Sequence, residues 1–183
     1  MSRAFVSESQ EEFRDQDVPE IRHPLPEGVK NYMTPEGALR MRGELSALER
    51  ERATLAGALY SQVAGTAGGP EKELLLNERR RLREIDRRTR CLARMLDLLE
   101  VVDPGTQDPG RVLFGAWVTV HHDGGGEKRY RIVGVDESDP AAGLVSWRSP
   151  LARALTGGRV GDRVRVKTPG GEQLLEIRGI SYG

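Results

Sequence analysis

A single cysteine, Cys91, stands in 183 residues. It cannot close an internal disulfide, and its place inside a helical pattern fits a reducing cytosol. Aromatic residues are scarce, at 5%. No apolar run approaches the ~20 residues of a membrane-spanning helix, and the N-terminus has no apolar signal core. Net charge is missing too. Lys and Arg number 28 against 28 Asp and Glu, which excludes a general attraction to nucleic acid or to a membrane. A cytoplasmic chain without membrane contact is expected. Of the three histidines, His121 and His122 lie beside an acidic loop and His23 is remote; with no suitably spaced cysteine, no metal site is expected. Neither Gly124–Gly126 nor Gly157-Gly158 is followed by Gly-Lys-Ser/Thr, so these glycines read as turns, not phosphate loops. No Ser/His/Asp arrangement stands at a recognisable spacing.

The charge that is present is unevenly spread. The first thirty residues lean acidic (Glu8, Glu11, Glu12, Asp15, Asp17, Glu20), while Arg79 to Arg94 is strongly basic. Residues 1–33 show no apolar periodicity and carry prolines at 19, 24 and 26, which predicts a flexible acidic leader. Thr34, Pro35 and Glu36 then make a helix start: a capping hydroxyl, a proline at the first position and a carboxylate at the positive end of the dipole. Met41, Leu45, Leu48, Arg52, Leu55 and Leu59 follow at heptad spacing. A turn rich in glycine ends the pattern, and Pro70-Glu71 begins another helix expected to end near Val101. Its seam reads Leu75, Glu78, Leu82, Ile85, Thr89, Leu92, Leu96, Leu99. Two such narrow seams joined by a short turn predict an antiparallel coiled-coil hairpin over 34–103, with its tip near 65–73.

Val102-Asp103-Pro104-Gly105 closes the hairpin, and 104–110 reads as a linker. Over 111–183 the apolar period changes to two. Strands are predicted at Trp117–His122, Lys128–Val135, Leu144–Trp147, Arg163–Lys167 and Gln173–Ile180, with a short helix at Leu151–Leu155. The fold class is therefore α+β: a helical hairpin, then a small antiparallel sheet domain with one helix.

The segments NYMTPEGALRMRGEL (31–45), RRRLREIDRR (79–88), VLFGAWVTV (112–120), YRIVGVDESDPAAGLVSWRSPLARALTGGRVGD (130–162) and LEIRGI (175–180) resemble the GreA/GreB family of bacterial transcription elongation factors, the GreB side more closely. The resemblance implies that the sheet domain is similar to FK506-binding proteins and binds bacterial RNA polymerase. The hairpin enters the polymerase's secondary channel near the nascent RNA 3′ end. It further implies an acidic tip pair that helps hold a second magnesium ion in the polymerase active site, so the protein would have no cofactor or metal of its own, only that shared Mg2+. Arg79, Arg80, Arg83 and Arg87 become a basic patch facing nucleic acid, and Asp136, Asp139, Ser149, Pro150, Leu151 and Ala152 candidate polymerase contacts. A monomer is expected.

At the tip the chain departs from that pattern. Counting back without gaps from RRRLREIDRR, Glu71 falls on the family's glutamate and Gly68 on its aspartate. Glu73 stands two positions further along the helix, where it points elsewhere, and Lys72 adds positive charge. Glu71 also has an ordinary reading as a carboxylate answering the helix dipole. The expectation is a non-enzymatic regulator of elongation that at most stimulates the polymerase's own RNA cleavage, with that stimulation weak or lost. The alternatives are an active cleavage factor rescuing backtracked complexes and an FKBP-type peptidyl-prolyl isomerase. The isomerase needs an aromatic-lined pocket from Phe114, Trp117, Tyr130, Trp147 and Tyr182. A short-hairpin regulator like that of nucleoside diphosphate kinase is opposed by the full-length heptads.

Overall fold

The computed structural model describes residues 25–26, 28–62, 70–123, 125–168 and 171–182. Thr34 caps the first helix as its sequence predicts, its Oγ1 accepting from Gly37 N at 3.1 Å. Helix α1 runs Pro35–Gln62 and α2 runs Pro70–Asp97, 28 residues each. Each is thus about 42 Å long at ~1.5 Å per residue. The predicted tip turn, with Gly68, lies outside the described residues. Burial along the seam is graded. Ile85, Leu92 and Met95 are buried near the base, whereas Leu75 and Leu82 are only half-buried nearer the tip. A two-helix seam has one partner face, so arm stiffness depends also on ion pairs along its edges.

The base departs from the expected boundaries. Asn31–Met33 form a strand, β1, which pairs in parallel with β2 at Leu99–Val101. The ladder is continued by Asn31 N donating to Leu98 O (2.8 Å) and Val102 N donating to Met33 O (2.9 Å). Parallel strands need a long crossover, and here the whole hairpin is that crossover. Consequently α2 stops at Asp97 rather than near Val101. The expected leader also ends sooner: Leu25 is buried with Met33, Met41, Leu92 and Met95 in a small core under the helices. Residues 1–24 lie outside the described residues.

The second half is a five-stranded sheet in the order β5-β4-β3-β7-β6. Its strands are β3 (Trp117–His122), β4 (Glu127–Val133), β5 (Leu144–Ser146), β6 (Arg163–Thr168) and β7 (Gly171–Ser181). The expected all-antiparallel sheet is mixed, because β5 pairs in parallel with β4. The chain between them is folded into 3-10 turns at Val135–Glu137 and Pro140–Ala142, which carry it back to start beside β4 in the same direction. Alternate residues Val118 and Val120, Leu175 and Ile177 point inward with Ile132 and Val166. Ala152 and Leu155 of helix α3 (Pro150–Leu155) cover them.

One carboxylate joins the two halves. Glu137, 7% exposed, accepts from Thr34 N at 2.9 Å, from Thr34 Oγ1 at 2.5 Å and from Gly134 N at 3.1 Å. Arg40 Nη2 stands 3.5 Å away. The approach is possible because two neighbours have no side chain. A Cβ on Gly37 would sit 2.1 Å from Glu137 Oε1, and one on Gly134 would sit 2.5 Å from Tyr32 O. Around the clasp, Asn31 Nδ2 donates to Asp136 Oδ2 at 3.3 Å. The Tyr32 ring meets Trp147 edge-on, with centroids 5.6 Å apart.

Replacing Glu137 by alanine leaves Thr34 N and Gly134 N without a partner in a buried site. The loss expected in denaturant unfolding is about 2–4 kcal/mol. Thr34→Ser keeps both hydrogen bonds and should cost less than about 1 kcal/mol. Equal losses from the two variants would mean that the carboxylate does not hold the clasp.

Candidate functional site: an arginine-faced arm on a clasped sheet domain

The arginines of α2 divide by their position around the helix. Arg81 Nε and Nη2 donate to Glu51 Oε1 and Oε2 at 2.7 and 2.9 Å. Arg88 makes the same fork to Glu44, also at 2.7 and 2.9 Å. Arg52, the polar residue expected in the first seam, donates to Asp86 Oδ1 at 2.5 Å. These bridges bind α1 to α2 along both edges of the apolar seam. Their electrostatics follow the geometry: the hydrogen bond from Arg81 holds the Glu51 carboxyl below its ordinary range, and the Glu44 fork raises the Arg88 guanidinium. Glu84, one turn along the same helix, stands 3.6 Å from Arg81. Glu78 sits half-buried in the seam, as its spacing predicts, with Oε2 shielded and unpartnered among the described residues.

Arg79, Arg80, Arg83 and Arg87 behave differently. Arg79, Arg80 and Arg83 are exposed and Arg87 half-buried, and none has an ion pair within 4 Å among the described residues. At about 100° per residue they lie on one arc of the helix, turned away from the seam. Arg90 and Arg94 fall on the same arc, exposed and likewise without a pair, and sequence reasoning missed them. The signal was available: both continue the i, i+3, i+4 rhythm of Arg83 and Arg87. The six guanidiniums extend over about 22 Å of helix. Like charges at these spacings repel, so the face does not serve the helix; it can bind an extended polyanion.

Glu71 occupies the first turn of α2; its side chain, like Gly68, lies outside the described residues. Glu73 is exposed. Among the described residues no group of three or more His, Cys, Asp or Glu could hold a metal ion.

The six expected contacts on the sheet domain are not equivalent. Ala152 is fully buried in the core, so the folded domain cannot offer it to a partner. Leu151 packs against that core. Ser149 Oγ caps α3, accepting from Ala152 N at 3.1 Å. Asp139 caps the next turn, accepting from Ala141 N and Ala142 N at 3.1 and 3.3 Å. Asp136 turns toward the hairpin base at Asn31. Asp136, Asp139 and Pro150 are exposed. A one-dimensional reading cannot separate a capped, covered turn from a docking face, because both use the same short polar and proline-led sequence. The aromatic side chains are occupied in packing. Phe114, Tyr130, Trp147 and Tyr182 lean on the sheet core, and Tyr182 Oη bridges Leu113 N and Arg111 O. Trp117 lies under the Arg129 guanidinium, 4.6 Å from the ring centre. The cleft between the β3–β4 and β6–β7 hairpin ends, about 540 Å3, is lined by His122, Asp123, Glu127, Lys128 and Glu172 rather than by aromatic rings. Burial holds the His122 imidazole below its ordinary pKa. No helix among the described residues is long and apolar enough to cross a membrane.

A family model described as "Transcription elongation factor, GreA/GreB, C-term" matches residues 107–182. A protein named transcription elongation factor GreB from Yersinia pestis is 43% identical over 151 residues, covering 81% of this chain and 88% of that protein. The protein of that name from Pseudomonas aeruginosa is 43% identical over 150 residues, 82% and 89%. Among solved structures, the GreA factor homolog 1 of Thermus thermophilus is 19% identical and covers 83% of this chain and 99% of its own, with a TM-score of 0.38. A GreA/GreB elongation factor from Nitrosomonas europaea gives 20%, 84%, 100% and 0.38. The sequence relatives, not these low superpositions, carry the assignment.

The division of labour among the arginines can be tested with a generic polyanion such as heparin. Arg83→Glu with Arg87→Glu should leave the helical signal and melting of the arm almost unchanged while lowering heparin affinity about tenfold at low salt. Arg81→Ala with Arg88→Ala should do the reverse, loosening the arm with little change in affinity. Equal effects of both pairs would contradict the sorting.

Proposed function

The chain belongs to the GreA/GreB family of transcription elongation factors, and we propose that it binds bacterial RNA polymerase through its sheet domain and inserts the helical arm into the secondary channel to regulate elongation. The observation that carries this reading is the arm: two 28-residue helices about 42 Å long, clasped at their base through Glu137 and faced with arginines that have no ion pair among the described residues. Such a lever can reach a site deep in a larger enzyme, while the arginine face meets the negative charge of the nascent RNA near its 3′ end. Asp136, Asp139 and Pro150 are the exposed members of the proposed polymerase-contacting set. The protein is not itself an enzyme in this reading; the reacting groups belong to the polymerase.

Stimulation of transcript cleavage is proposed to be weak or lost. Hard divalent cations take several oxygen ligands, and the tip aligns one carboxylate, Glu71, with Gly68 at the second position and Lys72 alongside. These residues do not fit a magnesium site, and no step of the reading passes through one. The rival reading, an active cleavage factor, is favoured by the 43% identity to proteins named GreB. The isomerase reading draws no support from aromatic rings engaged in packing.

The deciding experiment is RNA cleavage in a defined backtracked elongation complex from the cognate polymerase, after confirming that wild type, Glu71→Ala and Gly68→Asp all bind. The expected outcome is little cleavage with wild type and a gain of about tenfold or more with Gly68→Asp, since a paired carboxylate is restored. Efficient cleavage by wild type, abolished in Glu71→Ala, would establish the rival. Failure of all three to bind would remove the reading altogether.

A further inference from the structure

The arginine face of α2 can hold any polyanion, and the side chains at its tipward end narrow the choice. Among the described residues, Tyr60, Leu74 and Leu76 are large apolar side chains standing exposed on the half of the hairpin nearer the tip, Tyr60 the most so at 86%. The other described rings are engaged. Tyr32 meets Phe114 and Trp147, Trp117 carries Arg129, and Tyr130 and Tyr182 lean on the sheet core. A ring left in water near the end of the arm gains nothing from burial in its own fold.

Helix geometry places Tyr60 beside the arginine arc. The bridges between the helices set its level. Eight residues on from Arg52, and eight back from its partner Asp86, Tyr60 stands opposite Glu78. Nine on from Glu51, and nine back from its partner Arg81, it stands opposite Lys72. Midway between these, Tyr60 lies about 6 Å tipward of Arg79 and about 12 Å tipward of Arg83 along the axis. Its side follows from ~100° per residue. Tyr60 is about 180° around α1 from Glu51, hence on the edge of the Arg52–Asp86 bridge. On α2, Arg90 is about 180° around from Arg81, and Arg79 is two turns back from Asp86, on that same edge. Leu76, two turns before Arg83, continues the arc toward the tip. Tipward, the face therefore passes from guanidinium to exposed aliphatic and aromatic surface.

A ligand that fits both parts carries negative charge along its backbone and flat apolar rings at intervals. Single-stranded nucleic acid has both; a base offers a π-face to the ring while guanidiniums take the phosphates. An apolar protein surface could cover the ring, yet it would have to desolvate the neighbouring arginines without compensation. We infer that Tyr60 is a stacking platform for an unpaired base of a single strand whose phosphates run along Arg79 and Arg83. The stacking itself needs no polymerase; that the strand is the nascent RNA rests on the function proposed above.

The test compares a single-stranded oligoadenylate with inorganic polyphosphate of matched length, which has the charge and no bases, at low salt. Tyr60→Ala should lower oligoadenylate affinity about tenfold and leave polyphosphate affinity unchanged. Tyr60→Phe should behave as wild type and Tyr60→Trp should bind oligoadenylate at least as tightly, because the ring and not the hydroxyl makes the contact. Arg79→Glu with Arg83→Glu should weaken both ligands about equally. In wild type, the Tyr60 ring protons should move upfield in NMR spectra on adding oligoadenylate and stay in place on adding polyphosphate. Unmoved ring protons, or an equal effect of Tyr60→Ala on both ligands, would overturn the inference. So would a Tyr60→Ala variant that keeps oligoadenylate affinity but loses polymerase binding, which would make the ring a protein contact. A protein that stacks the base yet fails to bind polymerase would refute only the proposed function.

Discussion

A buried carboxylate accepting three hydrogen bonds from both halves of the molecule is the constraint on which its shape depends. An anion removed from water is tolerated only where donors converge on it. Glu137 meets that requirement with the Thr34 amide and hydroxyl on one side and the Gly134 amide on the other. Losing any one leaves a charge or an amide unsatisfied, so the arrangement holds as a unit. Thr34 serves twice, because the hydroxyl that caps α1 also donates to Glu137. Helix start and domain junction are therefore the same event. For an arm about 42 Å long, a swing of ten degrees at the base displaces the far end by about 7 Å. A fixed base is what makes a distant tip useful.

Charge along the arm obeys a second division. Guanidiniums at the seam edges are spent on the partner helix, and the forked geometry of the Glu51 and Glu44 pairs suits Arg where Lys would serve poorly. Guanidiniums on the outward arc have no ion pair among the described residues. The two sets alternate in the sequence within a few residues of each other, so a zero net charge coexists with a strongly basic face. Overall charge says little about a protein whose charges are sorted by helix face.

Much of the fold was legible in the chain itself. Thr34-Pro35-Glu36 marks a helix start through capping chemistry that acts within four residues. The heptads announce two paired helices, and period-two alternation over 117–122 and 163–180 announces strands. Part of the candidate site was legible for the same reason: the arginine patch is a property of one helix, and its two missed members, Arg90 and Arg94, obey the rhythm of the four that were found. Less legible were features made by main-chain groups meeting across the sequence. Asn31–Met33 carry no strand signature of their own; they become β1 because Leu99–Val101 lies alongside with free hydrogen-bonding groups. The parallel β4–β5 pairing has the same origin.

The sequence by itself determined the two long helices and the strands of the sheet domain, which faces of the helices are apolar, and that one arc of α2 is basic. These depend on periodicity and on interactions over a turn or two, where side-chain identity decides the outcome. Only the tertiary structure decided which arginines are consumed in bridges between the helices and which have no ion pair among the described residues. It also turned Glu137 from one acid among 28 Asp and Glu into the joint of the molecule, and withdrew Ala152 from the surface into the core. Burial and partnership belong to pairs of residues, and residues as distant as Thr34 and Glu137 become neighbours only when the chain closes.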